Sequence, residues 1–391
     1  MSLDHAKIEE LFLWMCDGAR PSADARQIVA GICERARMAG IAVDRFALFI
    51  YTLHPNLLGR RFIWSPETEV QQHDAHMTAF QEEEYLAIPL PTVLETQKSL
   101  RRRLTDPDCP NDFKILKEIQ AQGATDYLVQ PLIFTTGETH AVSWTSNAPD
   151  GFTDDMIAAL ERLRLPLARL AETYMLRLNA STLLSAYIGR NSGGKILAGQ
   201  VHRGDFEVIH ACVVFADLVG FTKMSNELHA EAVIERLNRF YDHVVPPIID
   251  RGGEILKFMG DGLLAIFPVS DRCSEKEACR QAAEALSEAS GGDGVSYDAE
   301  APPFRASIHV GPIHYGNIGS VNRLDFTAIG SAVNLASRLL SKAESVGAQT
   351  VISEPVADML DIAHARAPHI HLKGFTKAQK IVVLRDMPES S

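Results

Sequence analysis

The chain has 391 residues, enough for two or three domains at about 150 residues each. Hydrophobic residues make up 46% and charged residues 23%, a balance that excludes wholesale disorder. Thirty-eight basic against fifty acidic side chains leave a net charge of −12, which argues against a nucleic-acid scaffold, whose phosphate contacts need a basic footprint. No run of about 18 apolar residues is present, so no helix is expected to span a membrane. The opening MSLDHAKIEELFLWMCDGAR places acids before its apolar residues and does not read as a secretory leader. Six scattered cysteines (Cys16, Cys33, Cys109, Cys212, Cys273 and Cys279) form neither a disulfide frame nor a CxxC pair, and a reduced, cytoplasmic protein is expected. Cys212, inside an apolar strand pattern, reads as a small core hydrophobe.

In chain order, residues 7–40 carry helical spacing, with apolar residues from Ile8 to Met15 and again from Ile28 to Met38. Asp44–Leu53 reads as a strand, and Arg60–Trp64 as its hairpin partner after a turn at His54, Pro55 and Gly59. Ser65–Glu84 is polar and weakly periodic. Arg101-Arg102-Arg103 reads as a solvated face rather than an anion site. A short amphipathic helix covers Phe113–Gln122, and Asp126–Phe134 and His140–Ser146 read as strands joined at Thr136-Gly137-Glu138. A long helix runs from Thr153 to about Ile188, its start favoured by Asp154 and Asp155. Its apolar stripe (Ile157, Leu160, Leu163, Leu167, Leu170, Tyr174, Leu178, Leu183) suits packing on its own domain or on a twin helix across a dimer axis; the twin is the reading adopted here. The order helix, strands, helix, strands, long helix resembles a GAF-type sensor domain, through element order and the closing segment APDGFTDDMIAALERLRLPLARLAETY.

Residues 190–204 (RNSGGKILAGQVHRG) break the helix and mark a boundary. The expected organisation is a GAF-like regulatory domain over 1–152, a connecting helix and linker over 153–204, and a second domain over 205–391. In the latter, Glu207–Ala216 reads as a strand and Ala230–Asp250 as a helix closed by Gly252 and Gly253. Glu254–Phe258 and Leu263–Phe267 read as strands around Met259-Gly260-Asp261-Gly262, and Ser274–Ala289 as a helix. Phe304–Val310 with Ile313–Ile318 reads as a hairpin, Ser331–Ala343 as a helix, and short strands are expected near Thr350 and Ile381. This is a β-α-β-β-α-β core with additions, an α+β fold of the ferredoxin-like plan.

Asp217 ends an apolar strand and Asp261 sits at a hairpin tip. If their strands are neighbours, the carboxylates face each other and suit hard divalent cations and displacement at phosphorus; an Asp capped by a backbone N–H is the ordinary alternative. Gly220, Phe221 and Thr222 open a helix whose first N–H groups suit phosphate oxygens, although a plain strand-to-helix turn is the commoner use. Asn334 and Arg338, four apart on a helix, share a face that suits a sugar or phosphoryl oxygen, where a solvated surface is the ordinary alternative.

Together these pieces resemble the catalytic domain of class III adenylate and guanylate cyclases. FADLVGFT, EILKFMGDGLLAIF, FRASIHVGPIHYGNIGS, DFTAIGSAVNLASRL and HLKGF stand in the family's order over residues 205–386, and LLSAYIGRNSGGKILAGQVHRG resembles the lead-in of bacterial members. The resemblance implies conversion of a nucleoside triphosphate to a 3′,5′-cyclic monophosphate and pyrophosphate. It implies two Mg²⁺ or Mn²⁺ ions per site on Asp217, Asp261 and the Leu218 carbonyl, one at the ribose 3′-oxygen and one on the triphosphate. It makes Asn334 and Arg338 the ribose-orienting and transition-state pair, and gives Arg305 and Lys373 to the terminal phosphates, with Lys377 close by. It gives Lys257 and Thr327 to the base. A Lys ammonium only donates, which suits the acceptor N1 of adenine, whereas guanine N1 carries a hydrogen; Thr327 stands where many adenylate cyclases have Asp. ATP is therefore the expected substrate, with GTP or a catalytically silent nucleotide-binding module as alternatives. The family's shared sites imply a homodimer, and a small-molecule or protein signal is expected at the N-terminal domain. Gly291-Gly-Asp-Gly294 resembles the start of the diguanylate cyclase signature but lacks its flanking apolar strands. His364, His369 and His371 read as surface.

Overall fold

The computed structural model describes residues 2–22, 24–76, 88–110, 112–291 and 302–384. The chain divides into two compact units between Leu183 and Leu184.

In the first unit the expected single helical stretch is two helices, α1 (His5–Cys16) and α2 (Ala25–Met38), interrupted where Gly18 takes φ +81° and Ala19 φ +57°. Each has an aspartate cap. Asp4 accepts the N–H groups of Ala6 and Lys7, and Asp24 accepts that of Arg26. A six-stranded antiparallel sheet follows, built from β1 (Arg45–Tyr51), β2 (Leu57–Ser65), β3 (Thr68–His76), β4 (Leu100–Arg103), β5 (Asp126–Ile133) and β6 (Thr139–Ser146) in the order β3-β2-β1-β6-β5-β4. The helices α3 (Leu90–Thr96) and α4 (Lys114–Ala121) contribute to one core cluster with Tyr127, Val129 and Ala141; α1 and α2 contribute to another with Phe46, Phe62 and Trp144.

Two expectations change here. Part of the polar stretch 65–84 is β3, an edge strand in which Val70 is the one buried residue, so it shows no alternation to read; residues 77–84 lie outside the described residues. Arg101 is no solvated face. Its guanidinium grips Asp126, which is fully buried, at 2.6 Å and donates to the Phe152 carbonyl, while Asp126 accepts the Phe152 N–H at 3.0 Å. Gly151 is required beside it, because a Cβ there would lie 2.6 Å from the Asp126 carboxylate.

The long helix is α5 (Asp154–Ile188), 35 residues, with Thr153 Oγ1 accepting the Met156 N–H. Leu160, Leu163, Leu167 and Leu170 are buried in the first unit's own core, and Ile157 and Tyr174 pack against it. The greater part of the stripe is thus spent within its own domain, which corrects the twin-helix reading for residues 157–174. Gly189, at φ +89°, ends α5. Residues 190–204 are not simply a break, for α6 (Arg190–Leu197) forms there despite its two glycines.

The second unit holds β7 (Phe206–Leu218), α7 (Phe221–Glu227), α8 (Ala230–Asp250), β8 (Glu254–Met259), β9 (Gly262–Pro268), α9 (Glu275–Ala289), β10 (Phe304–Gly319), β11 (Leu324–Ile329), α10 (Ser331–Ala343), β12 (Thr350–Ser353), α11 (Glu354–Met359), β13 (His369–Ile370) and β14 (Gln379–Leu384). Strand order is β13-β14-β12-β10-β7-β9-β8, with β11 on β10. Residues of α8 and α9 share a core with Cys212, Val214 and Ala216 of β7, and residues of α10 share another with Val213 and Phe215. Cys212 is fully buried, as expected.

The expected hairpin at 304–318 is instead one strand of 16 residues, antiparallel to β7 from Phe304 opposite Leu218 to Gly316 opposite Phe206. Pro312 falls between the pairing with β12, which ends at Ile308, and that with β11, which starts at His314. One side of the strand is unpaired there, where a missing N–H is tolerated. The true hairpin joins β10 to β11. At the base of α6, Glu254 is buried and accepts hydrogen bonds from the Ser192 N–H (3.1 Å) and Oγ (2.9 Å), Asn191 Nδ2 (3.2 Å) and the Tyr315 hydroxyl (3.0 Å). These donors hold α6 against β8.

Removing Arg101 strands the buried Asp126 carboxylate without its cation. Arg101→Ala is expected to destabilise the first unit by about 3 kcal/mol, read as a lowered midpoint in denaturant unfolding; an unchanged midpoint contradicts the buried-pair account.

Candidate active site

The site is built from strand ends. Asp217 stands near the end of β7, opposite Gly262 on β9 and Arg305 on β10. Asp261 occupies the two-residue turn between β8 and β9, where Met259 pairs with Gly262. Gly260 has φ +68°, whereas Asp261 has no positive φ; a glycine with positive φ at the first central position is the mark of a type II′ hairpin turn. The Leu218 N–H donates to the Asp261 carbonyl at 2.9 Å, tying the two acidic segments together by backbone. Gly262 is needed for close approach, since a Cβ there would lie 2.8 Å from Asp217 Oδ1.

The electrostatics follow from this placement. Burial raises the Asp217 carboxyl from its ordinary 3.8 to about 6, the Asp261 charge adds to the rise, and Arg305 opposes it. An acidic pair held half-buried with one guanidinium nearby is short of positive charge. The donors are hard oxygens, two carboxylates with the Leu218 carbonyl adjoining, a set that fits Mg²⁺ or Mn²⁺ completed by water and substrate phosphates. Among the described residues no group of three or more His, Cys, Asp or Glu side chains gathers as a metal cluster.

Arg305 also lies 3.4 Å from Glu344 and lines an open cleft with Val219, Gly347 and Gln349. Gly220 takes φ +77° and precedes the short helix α7; Phe221 packs partly on the core and Thr222 is exposed. Leu218 buries its side chain, leaving only its backbone for a ligand. Asn334 and Arg338 are both exposed on α10, whose other face buries Val333, Leu335, Ala336 and Leu339. Lys373 and Lys377 are exposed after β13, beside buried Leu372. Thr327 pairs across from Gly316, eleven residues along β10 from Arg305. That is on the order of 35 Å of extended strand. Lys257 lies four residues before Asp261, and its ammonium is ion-paired with Asp325 of β11.

The structure therefore brings Asp217, Asp261 and Arg305 together, links Lys257 to the strand of Thr327, and places Asn334 with Arg338 on a separate helix. Two neighbours went unread in the sequence. Tyr241 of α8 donates to the Gly260 carbonyl at 2.7 Å, holding the turn that carries Asp261, and nothing in the helical period distinguishes it. Asp325 was legible in principle, being two residues before Thr327 on one strand face. His364 is close to Glu354 and Asp358, while His369 and His371 are exposed. Gly292–Gly294 of the diguanylate-like run lie outside the described residues.

Residues 207–385 match the family described as the adenylate and guanylate cyclase catalytic domain. The second unit is a class III nucleotide cyclase domain. An uncharacterized protein of Mycobacterium tuberculosis is 37% identical over 147 residues, covering 37% of this chain and 26% of that protein. Adenylate cyclase 1 of Rhizobium meliloti is 30% identical over 147 residues, 37% of this chain and 22% of its own length. The matched segment thus spans about a quarter of these curated relatives. The solved adenylyl cyclase CyaB from P. aeruginosa is 28% identical, covering 47% of this chain and 99% of that one, with a TM-score of 0.38. Among the described residues no helix of the chain is long and apolar enough to cross a membrane.

The raised Asp217 carboxyl has a definite pH sign. Its folded value lies above the ordinary one, so in metal-free protein its ionisation opposes folding as pH rises from about 3.8 through 6. With a chelator present, Asp217→Asn is expected to raise the unfolding midpoint at pH 7 to 8, and the difference should close as pH falls toward 4. A variant less stable than the parent at pH 8 contradicts the account.

Proposed function

We propose that the protein is an adenylate cyclase, converting ATP to 3′,5′-cyclic AMP and pyrophosphate at sites shared between two copies of the chain. The observation that carries the reading is the Asp217–Asp261 pair closed over Gly262, with Arg305 across the strand. Bound there, Mg²⁺ or Mn²⁺ would supply acidity to the ribose 3′-hydroxyl and charge compensation to the triphosphate. Asp217, Asp261 and the Leu218 carbonyl would hold those ions. The 3′-oxygen attacks the α-phosphorus, its proton passes to solvent water, and the bond to the pyrophosphate oxygen breaks with its electron pair leaving on that oxygen. Arg305 and the exposed lysine Lys373, with Lys377 near it, offset charge on the departing phosphates. The backbone at Gly220, Phe221 and Thr222 lies against the phosphate chain. Asn334 orients the ribose, and Arg338 stabilises charge on the transferring phosphoryl group.

The geometry supports sharing. The acidic pair and Thr327 are separated along β10 by most of its length, and Asn334 and Arg338 project from a different element. One chain carries both sets, so a homodimer holds two complete sites. Lys257 as a pure donor favours adenine over guanine. GTP remains the second reading of the same site. The first unit is proposed as a GAF-like regulatory domain that answers a small-molecule or protein signal, with the protein acting in the cytoplasm.

Mixing two inactive variants tests the shared site. Asp217→Ala and Arg338→Ala should each lose at least 99% of cyclase activity, and mixed dimers should regain roughly a quarter of the parental rate, from half the dimers each with one intact site of two. Mixed dimers that form and stay inactive contradict sharing. Lys257→Glu with Thr327→Cys exchanges donor for acceptor and should shift preference from ATP toward GTP by at least about tenfold. An unchanged ratio of the two rates means these residues do not face the base.

A further inference from the structure

The two faces of the first unit's sheet differ in character. On β1, Phe46, Leu48 and Ile50 enter the core shared with α1 and α2, whereas Arg45, Ala47 and Phe49 alternate to the face that carries α3 and α4. Arg61 of β2 stands directly opposite Phe49, and Thr145 of β6 directly opposite Arg45, so both join that second face. A cavity of about 440 Å³ opens there between β1, β2, β3 and the starts of α3 and α4, a size that takes a small organic molecule. Phe49, Tyr51, Ile88 and Ile115 give it apolar surface, and Arg61 lines it. Its other charges have counterparts. Arg60 pairs with Asp74 at 3.0 Å, and Glu118 lies one helical turn from Lys114. His73, opposite Arg61 on β3, adds no negative charge.

Arg61 and Arg45 lack such counterparts. Arg37, Arg101 and Arg102 of the same unit each hold an aspartate. Among the described residues neither the Arg45 nor the Arg61 guanidinium has an ion-paired or hydrogen-bonded partner. Burial holds Arg45 below its ordinary value, Tyr127 opposes this, and the Arg61 charge adds to the fall. Burial lowers Arg61 in the same direction. Beside Arg45, Thr145 is 2% exposed, and its Oγ1 makes no hydrogen bond among the described residues. Two like charges partly withdrawn from water and an orphaned hydroxyl are each unfavourable in the empty protein. An oxyanion answers all three, because guanidinium donors match carboxylate and phosphate oxygens in pairs. We infer that this cavity binds a small organic oxyanion, a carboxylate or a phosphate monoester, with its head on Arg61, Arg45 and the Thr145 hydroxyl and its apolar body against Phe49, Tyr51, Ile88 and Ile115. The site is separate from the acidic pair of the second unit, and the inference does not depend on the adenylate cyclase reading.

The test follows thermal unfolding of the first unit within the full-length protein, with benzoate, phenyl phosphate and the uncharged benzamide as probes at matched ionic strength. At ten times its dissociation constant, a bound anion should raise the midpoint by about 3 to 5 °C, and benzamide at the same concentration by less than about a third of that. A shift with benzoate alone makes the head group a carboxylate, and one with phenyl phosphate alone makes it a phosphate; either supports the site. Arg61→Gln and Arg45→Gln should each abolish the shift. Without any probe, both variants should unfold at the parental midpoint or above it, since each removes an unpaired cation. The inference is overturned if neither anion moves the midpoint at up to about 50 mM, or if benzamide moves it as far as the anions do. It is also overturned if the shift survives in both Gln variants. A lower midpoint in the probe-free Gln variants overturns it as well, because the guanidiniums would then serve the fold rather than a ligand.

Discussion

The second unit is organised around a repulsion that the backbone enforces. Two carboxylates are brought together by a strand end and a hairpin tip, and the Leu218 N–H to Asp261 carbonyl bond joins their backbones. Burial raises the Asp217 carboxyl to about 6, and the nearby Asp261 charge adds to the rise. The strand ladder prevents separation. β7 is paired on both sides, by β9 and β10, and Asp217 has a partner on each. A stable core beneath, with Cys212, Val214 and Ala216 fully or almost fully buried, keeps that register. The arrangement stores a demand for positive charge, and divalent cations meet it better than the single guanidinium of Arg305.

Small residues make the demand possible. Gly262 admits the Asp217 carboxylate where any Cβ would collide with it, and Gly260 turns the chain tightly enough to put Asp261 at the tip. Tyr241 closes the turn from α8 through its bond to the Gly260 carbonyl, and packs at a tilt against Phe258 with ring centroids 4.5 Å apart. The acidic pair is therefore held from three elements, a strand, a hairpin and a helix. Side chains placed in this way lose little freedom when a ligand arrives.

Much of this was legible in the sequence, and the failures have physical causes. β1 was recognised as an apolar, aromatic run of strand length, and β2 as its hairpin partner beyond a turn signal. β3 escaped because an edge strand exposed on most sides has no alternation. β10 was cut in two because Gly311-Pro312 carries turn chemistry, and only the tertiary context, a free strand side at that point, cancels it. α6 was read as a break because its two glycines are poor helix formers; Gly193 instead permits close approach to Leu184, whose backbone a Cβ would meet at 3.1 Å. Arg101 was read as solvated because a run of like charges says nothing of a buried aspartate 25 positions away. The aspartates, Arg305, Asn334 and Arg338 were legible by motif, and their placement follows from strand register and helical face. Tyr241 was not, since it holds the turn through the Gly260 carbonyl and the helical period does not distinguish it.

In the proposed reading, a signal at the first unit would have to pass along α5 and α6, whose packed and unpacked parts can be told apart. α5 spends the residues from Ile157 to Tyr174 on the first unit's core, so that part of the helix moves only with that core. Gly189 then interrupts the helix, and α6 begins anew with Asn191 and Ser192 bound to Glu254. Glu254 opens the strand that ends at Met259 and carries Lys257, and its Tyr315 partner lies on β10 one residue before Gly316, which faces Thr327. Glu254 thus ties α6 to β8, which carries Lys257, and to β10, whereas the acidic pair is placed by β7, β9 and the β8–β9 turn. For a signal to change activity by this path it must bind the first unit with different affinity in two poses of α6. Any second pose that parted α6 from β8 would leave the buried Glu254 without the Asn191 and Ser192 donors, at the cost of an under-satisfied buried group.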